Sequence, residues 1–385
     1  MLVCAASLTR TIDPAPIFAL HVQIYDLPHD LPPDARGLFD DASEGNIFRS
    51  YEWLSLATPH GLQPGDRLRL FLLQGDDGRA VALMPAVYSR LYASHPMARV
   101  LHFLQREERP FEPIGRSFDA EPVVNAIAAW LRENPKSVDV LRASPLDPAL
   151  PFTAHVLAAV RRSGYWTQLY RHAPSRYARV AGLTFSEYLA QRPRALRESL
   201  DLNTRLLMQG GRGEFHFPCS PELVEDAWES VRYVIDRAPE EDAPDSIDYL
   251  RAVLDTASAC GALRLGIFSL DGVPVAVQLW VVSERVARCL RIWGAQGQRT
   301  FPIDDVLTQL VTLCLIDGDH VEELEFGDVN EAFAADWAPM TRDRLGLAAF
   351  NRRTGRGIRG AFRHIGLQLL LAAPRRMWRK ILGRA

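Results

Sequence analysis

Lysine is nearly absent from this chain, which has only Lys136 and Lys380 among its 44 cationic residues. Arginine therefore carries almost all of the positive charge. The 47 acidic residues leave a formal net charge of −3, and a chain without a basic excess has no overall attraction for nucleic acid. We therefore do not expect DNA or RNA to be a main ligand.

Cysteine is sparse and shows no metal-binding pattern. The five cysteines lie far apart, and none belongs to a CxxC pair or to a Cys/His cluster. This spacing disfavours a zinc site and favours a reducing compartment. We therefore expect no metal cofactor.

We also expect neither a targeting leader nor a membrane span. The first 26 residues have no basic start, and Asp13, Pro14 and Pro16 interrupt their apolar side chains. The apolar run 365–373 is shorter than the roughly 20 residues that span a bilayer. These absences predict a cytoplasmic protein.

The chain is too long for one hydrophobic core, because single cores stop growing at roughly 250–300 residues and this chain has 385. Predicted strands alternate with predicted helices throughout, which is typical of α/β sheets flanked by helices. A proline-containing break, Ala173–Ser175, separates two such series. We predict two α/β domains, 1–172 and 173–350, followed by a basic helical tail, 351–385.

The first half opens with a predicted strand, 18–26, and two helices, and it continues with a hairpin that turns at residues 74–78, Gln-Gly-Asp-Asp-Gly. A further strand and a polar loop, 105–118, lead into a helix, strand, helix, strand series over 120–172. Gly164 is predicted to end the second of these helices.

The second half repeats the plan. It begins with an arginine-rich helix, 185–211, and a short strand, and two helices then precede three strands, the first pair joined by a turn at Asp271-Gly272. A helix that starts at Pro302, a strand that ends near Gly327 and a strand that closes the sheet at 347–353 complete the series.

The tail has a composition of its own, because it carries ten cations and no acid after Asn351. The cations flank the apolar run 365–373. One interpretation of this pattern is a basic amphipathic helix that contacts an anionic membrane surface. The alternative is a helix that is solvated or packed on the protein itself.

These elements, in this order, resemble the CelD/BioF-like branch of the GNAT acetyltransferases, and the tandem plan is similar to that of FemAB-type proteins. The resemblance is carried by FRSYEWL at 48–54, the strand-ending proline of 81–85, the arginine-rich helix 186–207, LDGVPVAVQLW at 270–280 and GDVNEAFAADW at 327–337. It implies two tandem GNAT-like domains with mixed central sheets flanked by helices.

The chain departs from the family pattern at two places. Pro302-Ile303 stands where the family has Pro-Gly, and Phe333-Ala334 stands where it has Tyr-Lys. Two extra residues also separate Gly327 from Trp337. The lysine that the family places in this motif is therefore absent.

The resemblance implies a binding place for acyl-CoA as co-substrate. GNAT enzymes hold its diphosphate on backbone N–H groups where a helix begins, and the helix dipole favours an anion there. In this chain the implied cofactor-binding residues are Trp293, Gly294, Gly297, Arg299, Thr300, Pro302 and Ile303. Asp304 and Asp305 would repel a diphosphate, so an ordinary helix start is the alternative.

Acyl transfer needs a group that accepts a proton and a donor for the oxygen that becomes negative. Asp328 and Glu325 lie towards the carboxyl end of a predicted strand, where open α/β sheets collect ligands, and either is a candidate base. Gln278 is a candidate for orienting the acceptor. The alternatives are turn capping for Asp328 and an amide bonded to a neighbouring strand for Gln278.

Together these features predict an acyltransferase that moves an acyl group, acetyl by the resemblance, from acyl-CoA to an amine or hydroxyl. A small-molecule or saccharide acceptor in polysaccharide or cell-envelope biosynthesis fits this chemistry. One alternative is a scaffold protein with the GNAT fold that has lost cofactor binding. Another is FemAB-like aminoacyl transfer.

Overall fold

The computed structural model has helices on both faces of a long mixed sheet. It describes residues 20–42, 46–60, 62–63, 65–92, 95–104, 111–115, 120–240, 244, 246–295, 301–327 and 329–366. The strands are β1 His21–Tyr25, β2 Arg67–Gln74, β3 Ala80–Tyr92, β4 His95–Phe103, β5 Ile114–Gly115, β6 Val140–Leu146, β7 Tyr165–Arg179, β8 Gly213–His216, β9 Leu263–Leu270, β10 Val273–Ser283, β11 Val286–Gly294, β12 Glu323–Phe326 and β13 Met340–Asn351.

The helices are α1 Pro33–Ala42, α2 Tyr51–His60, α3 Ala120–Glu133, α4 Pro151–Arg162, α5 Phe185–Ala190, α6 Arg194–Thr204, α7 Pro221–Ile235, α8 Ile247–Ala259, α9 Ile303–Leu313, α10 Glu331–Trp337 and α11 Gly355–Ala361. The predicted α/β class is confirmed.

The described strands form one continuous sheet in the order β1-β2-β3-β4-β6-β13-β7-β12-β11-β10-β9-β8, with β5 paired to β3. The sequence predicts a sheet in each half. The two halves join because β13 comes from the end of the second half yet lies between β6 and β7. Residues 347–351 therefore pair in the middle of the sheet, whereas the sequence predicts that this strand closes it.

β7 belongs to both halves. It pairs with β13 along most of its length and with β12 through residues 176–179. The predicted boundary between residues 172 and 173 falls inside this strand, so no linker separates the halves there. The division into 1–172 and 173–350 stays a prediction.

The turn between β9 and β10 follows from local chemistry. Asp271 and Gly272 have φ values of +50° and +79°, and two consecutive positive φ angles characterise the type I′ turn that suits a two-residue hairpin. The predicted hairpin is confirmed by the pairing of Leu270 with Val273.

The arginine-rich segment forms two helices where the sequence predicts one. Thr184 caps α5 by accepting a hydrogen bond from the Glu187 amide, and the Glu187 carboxylate accepts one from the Thr184 amide in return. Pro193 has no N–H to donate and disfavours helical geometry in the residue before it. The chain therefore breaks at residues 191–193 before α6 begins.

Two groups of helices cover the second half of the sheet. α7 and α8 pack on one face, where Phe48 and Trp53 of the first half join the same apolar cluster. α5, α6, α9 and α10 pack on the other face. The candidate site lies where this half of the sheet opens at one end.

The chain leaves the sheet through α11, whose first turn is capped by the Thr354 hydroxyl. Residues 367–385 of the predicted tail lie outside the described residues. Among the residues that the structure describes, no helix is both long and apolar enough to cross a membrane.

Candidate active site

β11 and β12 separate partway along their length. They pair in parallel from Val286 and Glu323 up to Cys289 and Phe326. The amide of Gly327 still reaches the carbonyl oxygen of Cys289 at 3.4 Å, but β11 continues alone to Gly294. A gap therefore opens between the end of β11 and the segment that follows β12.

A β-bulge lies where the gap begins. Cys289 pairs with Trp280 and Arg291 pairs with Leu279, so Leu290 is an extra residue in β11. A bulge leaves the extra residue out of the ladder and bends the strand. Leu290 thus has no regular partner on β10, and its main-chain carbonyl accepts a hydrogen bond from Arg291 Nη1 at 2.8 Å.

The start of α9 faces the end of β11. Pro302 occupies the N-cap position and contributes no capping side chain. A Cβ atom on Gly294 would lie 3.3 Å from Asp304 Oδ1, so the last residue of β11 and the first turn of α9 are in close contact. Trp293 and Ile303 are buried on either side of this contact.

The structure therefore brings together four predicted cofactor-binding residues, Trp293, Gly294, Pro302 and Ile303. Gly297, Arg299 and Thr300 lie outside the described residues, as does the candidate base Asp328. The predicted role of each of these residues stays a prediction.

Gln278 is fully buried on β10, and its amide is bonded within the protein. Its Nε2 donates to Thr308 Oγ1 at 2.6 Å and to the Asp304 carbonyl at 3.3 Å, and its Oε1 accepts from Trp280 Nε1 at 3.0 Å. Gln278 therefore fixes the first turn of α9 to β10. Any effect of this amide on a substrate would act through the position of that turn.

Glu325 is buried at the centre of an arginine cluster. Its carboxylate accepts a hydrogen bond from Ser175 Oγ at 2.6 Å and lies 3.0 Å from Arg288 Nε, 3.4 Å from an Arg344 Nη and 3.9 Å from an Arg342 Nη. Burial by itself would raise the pKa of Glu325, but Arg288, the Ser175 hydroxyl, Arg344 and Arg342 together lower it.

A carboxylate that binds its proton this weakly is a poor general base. Glu325 instead joins the two halves, because Arg344 of β13 also donates to Asp147, which follows β6, at 2.6 Å. The guanidinium of Arg288 lies 5.7 Å from the centre of the Phe48 ring, which comes from the first half.

Asp305, a half-buried carboxyl, lies in the first turn of α9. Its Oδ1 accepts a hydrogen bond from the indole Nε1 of Trp337 at 3.0 Å. Burial raises the pKa of Asp305, and the charge of Asp336 acts in the same direction, against the opposing effect of the indole hydrogen bond. A raised pKa makes this carboxylate a stronger proton acceptor than an exposed aspartate.

In the sequence, Asp305 is recognisable only as an acidic residue in the first turn of a helix. Trp337 is 32 residues further along the chain on another helix, so no local pattern links the two side chains. The Trp337 carbonyl accepts from Tyr188 Oη at 2.6 Å and from Arg192 Nη1 at 2.8 Å. Trp337 therefore holds α5, α9 and α10 together beside the gap.

Cys289 lies at the base of the gap but is a poor nucleophile. It is completely buried, and burial raises the pKa of its thiol far above the usual range, which keeps it in the unreactive neutral form. Within the described residues, no group of three or more His, Cys, Asp or Glu side chains is arranged to hold a metal ion.

Residues 194–331 match the family described as Acetyltransferase (GNAT) domain. No curated protein matches the chain significantly. One similar solved structure is the C-terminal domain of a putative lysylphosphatidylglycerol synthetase from Agrobacterium fabrum, which is 12% identical to this chain with a TM-score of 0.51. The alignment covers 87% of this chain and 96% of that domain.

FemX is 10% identical with a TM-score of 0.52, covering 85% of this chain and 96% of its own. A tandem GNAT protein from the clavulanic acid biosynthesis pathway is 11% identical with a TM-score of 0.48, covering 86% of this chain and 98% of its own.

The resemblance to GNAT and FemAB-related proteins is confirmed at the level of the superfamily fold by the domain match and by the first two structures. The opening between β11 and β12 lies within the matched residues. Identities this low identify no substrate, and the CelD/BioF-like branch stays a prediction.

Proposed function

We propose that this protein, whose second half contains a GNAT domain, is an acyltransferase that moves an acyl group from acyl-CoA to an amine or hydroxyl. The observation that carries the proposal is the gap between β11 and β12, with a bulge at Leu290 and a helix start beside it. The bulge and the start of α9 would supply main-chain N–H donors, and the first turn of α9 would supply the Asp305 carboxyl.

The first turn of α9 would take the diphosphate of the carrier. The first-turn N–H groups of a helix point out of its start; in α9 the Ile303 amide reaches the Phe301 carbonyl at 2.9 Å and the Val306 amide reaches the Pro302 carbonyl at 3.1 Å. The Asp305 carboxylate is directed to Trp337. Only Asp304 is exposed at this turn, which weakens the objection that two acids would repel a diphosphate.

The chemistry would use the two sides of the gap differently. The acceptor amine or hydroxyl attacks the thioester carbonyl, the C–S bond breaks, and the carrier leaves as a thiolate, which takes the acceptor's proton from the base to become a thiol. Main-chain N–H groups at the Leu290 bulge would stabilise the oxygen that becomes negative. Asp305 joins Asp328 as a candidate to receive the proton from the acceptor, and Glu325 becomes a positioning residue.

An acceptor would reach the gap between the two halves, where Phe48 and Arg288 meet. Polar and aromatic side chains at a seam between domains are typical of ligand clefts. A saccharide or small polar acceptor in polysaccharide or cell-envelope biosynthesis fits this lining. We also propose that the protein is cytoplasmic and that its tail contacts the membrane.

Ligand binding tests the carrier directly. Acetyl-CoA and longer acyl-CoAs, each at about 100 times its dissociation constant, would stabilise the fold by about 2.7 kcal/mol. Changing Asp304→Asn should strengthen binding, because it removes the exposed charge beside the diphosphate. Asp343→Asn, at an exposed position on β13, is the matched control. Absence of a shift with every thioester would overturn the carrier assignment.

Aminoacyl transfer is the second candidate. FemX and the lysylphosphatidylglycerol synthetase domain are among the similar folds, and an acidic helix start would suit a carrier that places no diphosphate there. The two functions separate in one assay, in which the protein is offered labelled acyl-CoA or labelled aminoacyl-tRNA with the same acceptor mixture. Label transfer from the tRNA alone would favour this candidate, and transfer from neither would favour a scaffold protein.

A further inference from the structure

Three segments that are distant in sequence bring exposed arginines to one edge of the first half. The side-chain Nη1 of Arg353 donates to the main-chain carbonyl of Arg132, at the end of α3, at 3.3 Å. The Nε of Arg352 donates to the carbonyl of Gly164, just after α4, at 3.1 Å. α11 continues from these residues. The basic edge consists of Arg132, Arg161, Arg162, Arg352, Arg353, Arg356, Arg359 and Arg363, with Phe362 among them.

All eight arginines of the basic edge are exposed, and none forms an ion pair with an acid among the described residues. Asp139, the buried acid at this end of the molecule, is occupied by Arg99, which donates to both of its carboxylate oxygens at 3.0 and 2.8 Å. The exposed acid Glu133 follows Arg132 in the chain and offsets one of the eight arginine charges. The edge therefore keeps a large net positive charge.

Phe362 lies within this charge and is 72% exposed, the highest value among the large apolar side chains that the structure describes. Its ring gives the basic edge an exposed apolar group. A strongly basic surface around an exposed phenyl ring matches the chemistry of an anionic bilayer, where arginines meet headgroups and an apolar side chain enters the acyl boundary.

The rest of the chain would orient such an encounter. Ten of the 44 cations and none of the 47 acids lie after residue 351, so residues 1–351 carry 34 cations against 47 acids, a formal charge of −13. An anionic surface would repel this part and attract the end that carries α11.

We propose that the basic edge, together with Phe362, docks the protein on anionic phospholipid. The docking surface belongs to the folded part of the chain and does not depend on the tail beyond residue 366. It is also independent of the transfer reaction, which would proceed on soluble acceptors whether or not the surface is occupied.

Vesicle sedimentation with the full chain tests the proposal. At about 0.1 M salt, the protein should bind vesicles of phosphatidylcholine with about 30% phosphatidylglycerol and should not bind phosphatidylcholine alone, and about 0.5 M salt should release it. Equal binding to both vesicles, or binding to neither, would overturn the proposal.

Variants then assign the binding to the basic edge. Each arginine near an anionic surface contributes about fivefold to partitioning, so the triple change Arg356→Gln, Arg359→Gln and Arg363→Gln should weaken binding roughly a hundredfold. Phe362→Ala should weaken it about tenfold. The control triple Arg36→Gln, Arg79→Gln and Arg237→Gln, at exposed sites elsewhere, should bind like the unaltered chain.

Two results would refute the assignment. If the edge triple and Phe362→Ala both bind vesicles like the unaltered chain, the residues beyond 366 are sufficient. If a structured RNA binds more tightly than the vesicles and Phe362→Ala leaves that binding unchanged, the basic edge is a nucleic-acid surface. Unchanged melting temperatures of the variants would show that their folds are intact.

Discussion

The indole N–H of Trp337 donates a hydrogen bond to the Asp305 carboxylate at 3.0 Å, and this bond joins α10 to the first turn of α9. The ring of Trp337 is fully buried, whereas Asp305 is half-buried beside the gap. The pair thus links the core of the second half to the place where a substrate would bind.

Changing Trp337→Phe should destabilise the protein by about 1–3 kcal/mol, because a half-buried acceptor loses its donor. Urea unfolding measures this loss. Trp166→Phe, at an exposed ring on β7, should change stability by less than about 0.5 kcal/mol. A double-mutant cycle with Asp305→Ala should give a coupling energy of about 0.5–3 kcal/mol; additive effects would contradict the assigned bond.

Asp305 should also make stability depend on pH in a defined direction. Its pKa is raised in the folded state above the ordinary 3.8, so the folded protein binds the proton more tightly than the unfolded chain. The stabilisation is fully present below pH 3.8 and is lost as pH rises through the folded-state pKa. Asp305→Asn removes this titration.

The free energy of unfolding of Asp305→Asn, relative to that of the unaltered chain, should therefore increase from about pH 4 upwards and become constant above the folded-state pKa. Urea titrations across that range measure the difference. A difference that stays flat, or that moves the other way, would show that burial does not raise the pKa of this carboxyl.

Glu325 should be among the residues most important for stability at the seam. Changing Glu325→Gln leaves the charges of Arg288, Arg342 and Arg344 without their shared buried partner, and breaking a buried ion pair from one side costs about 3–5 kcal/mol. Chemical unfolding checks this value.

Glu322 supplies the matched control for Glu325. Its carboxylate pairs with Arg285 at 3.0 Å, and both side chains are more than half exposed. Glu322→Gln should change stability by at most about 1 kcal/mol. Equal losses for the two glutamates would mean that the arginine cluster does not depend on its central carboxylate.

Gly266 on β9 sets the distance between the sheet and α9. A Cβ atom there would lie 2.4 Å from Val311 Cγ2 and 3.2 Å from Leu307 Cδ1, and both neighbours are buried. Gly266→Ala should destabilise the protein by about 1–3 kcal/mol through overpacking. It should also weaken acyl-CoA binding, because α9 must move.

Gly318 provides the comparison, since no atom lies within 4 Å of a Cβ placed there. Gly318→Ala should leave both the melting temperature and ligand binding nearly unchanged. Equal behaviour of the two alanine variants would show that α9 does not rest on Gly266.

Local chemistry in the sequence determines most of the secondary structure. Asp271-Gly272 marks a tight hairpin turn, because few residue pairs tolerate two positive φ angles. Apolar spacing at the helical period predicts α3, α7, α8 and α9, because each of these helices buries one face. The ordered motifs are sufficient to predict the GNAT-like second half.

The arrangement of the candidate site was only partly predictable. The strand that ends near Gly327 and the helix that starts at Pro302 are visible in the sequence, so their meeting at one end of a sheet could be expected. The bulge at Leu290 was not, because a single extra residue in a strand leaves the surrounding apolar pattern nearly unchanged.

Only the tertiary structure decides which distant residues meet. The sequence alone does not reveal that β13 pairs between β6 and β7, that Trp337 bonds Asp305, or that Arg132 and Arg353 share one edge. Strand pairing and side-chain contacts across a fold depend on which surfaces fit together once the chain has collapsed. Apolar periodicity specifies that a face is buried, and packing selects the partner against which it is buried.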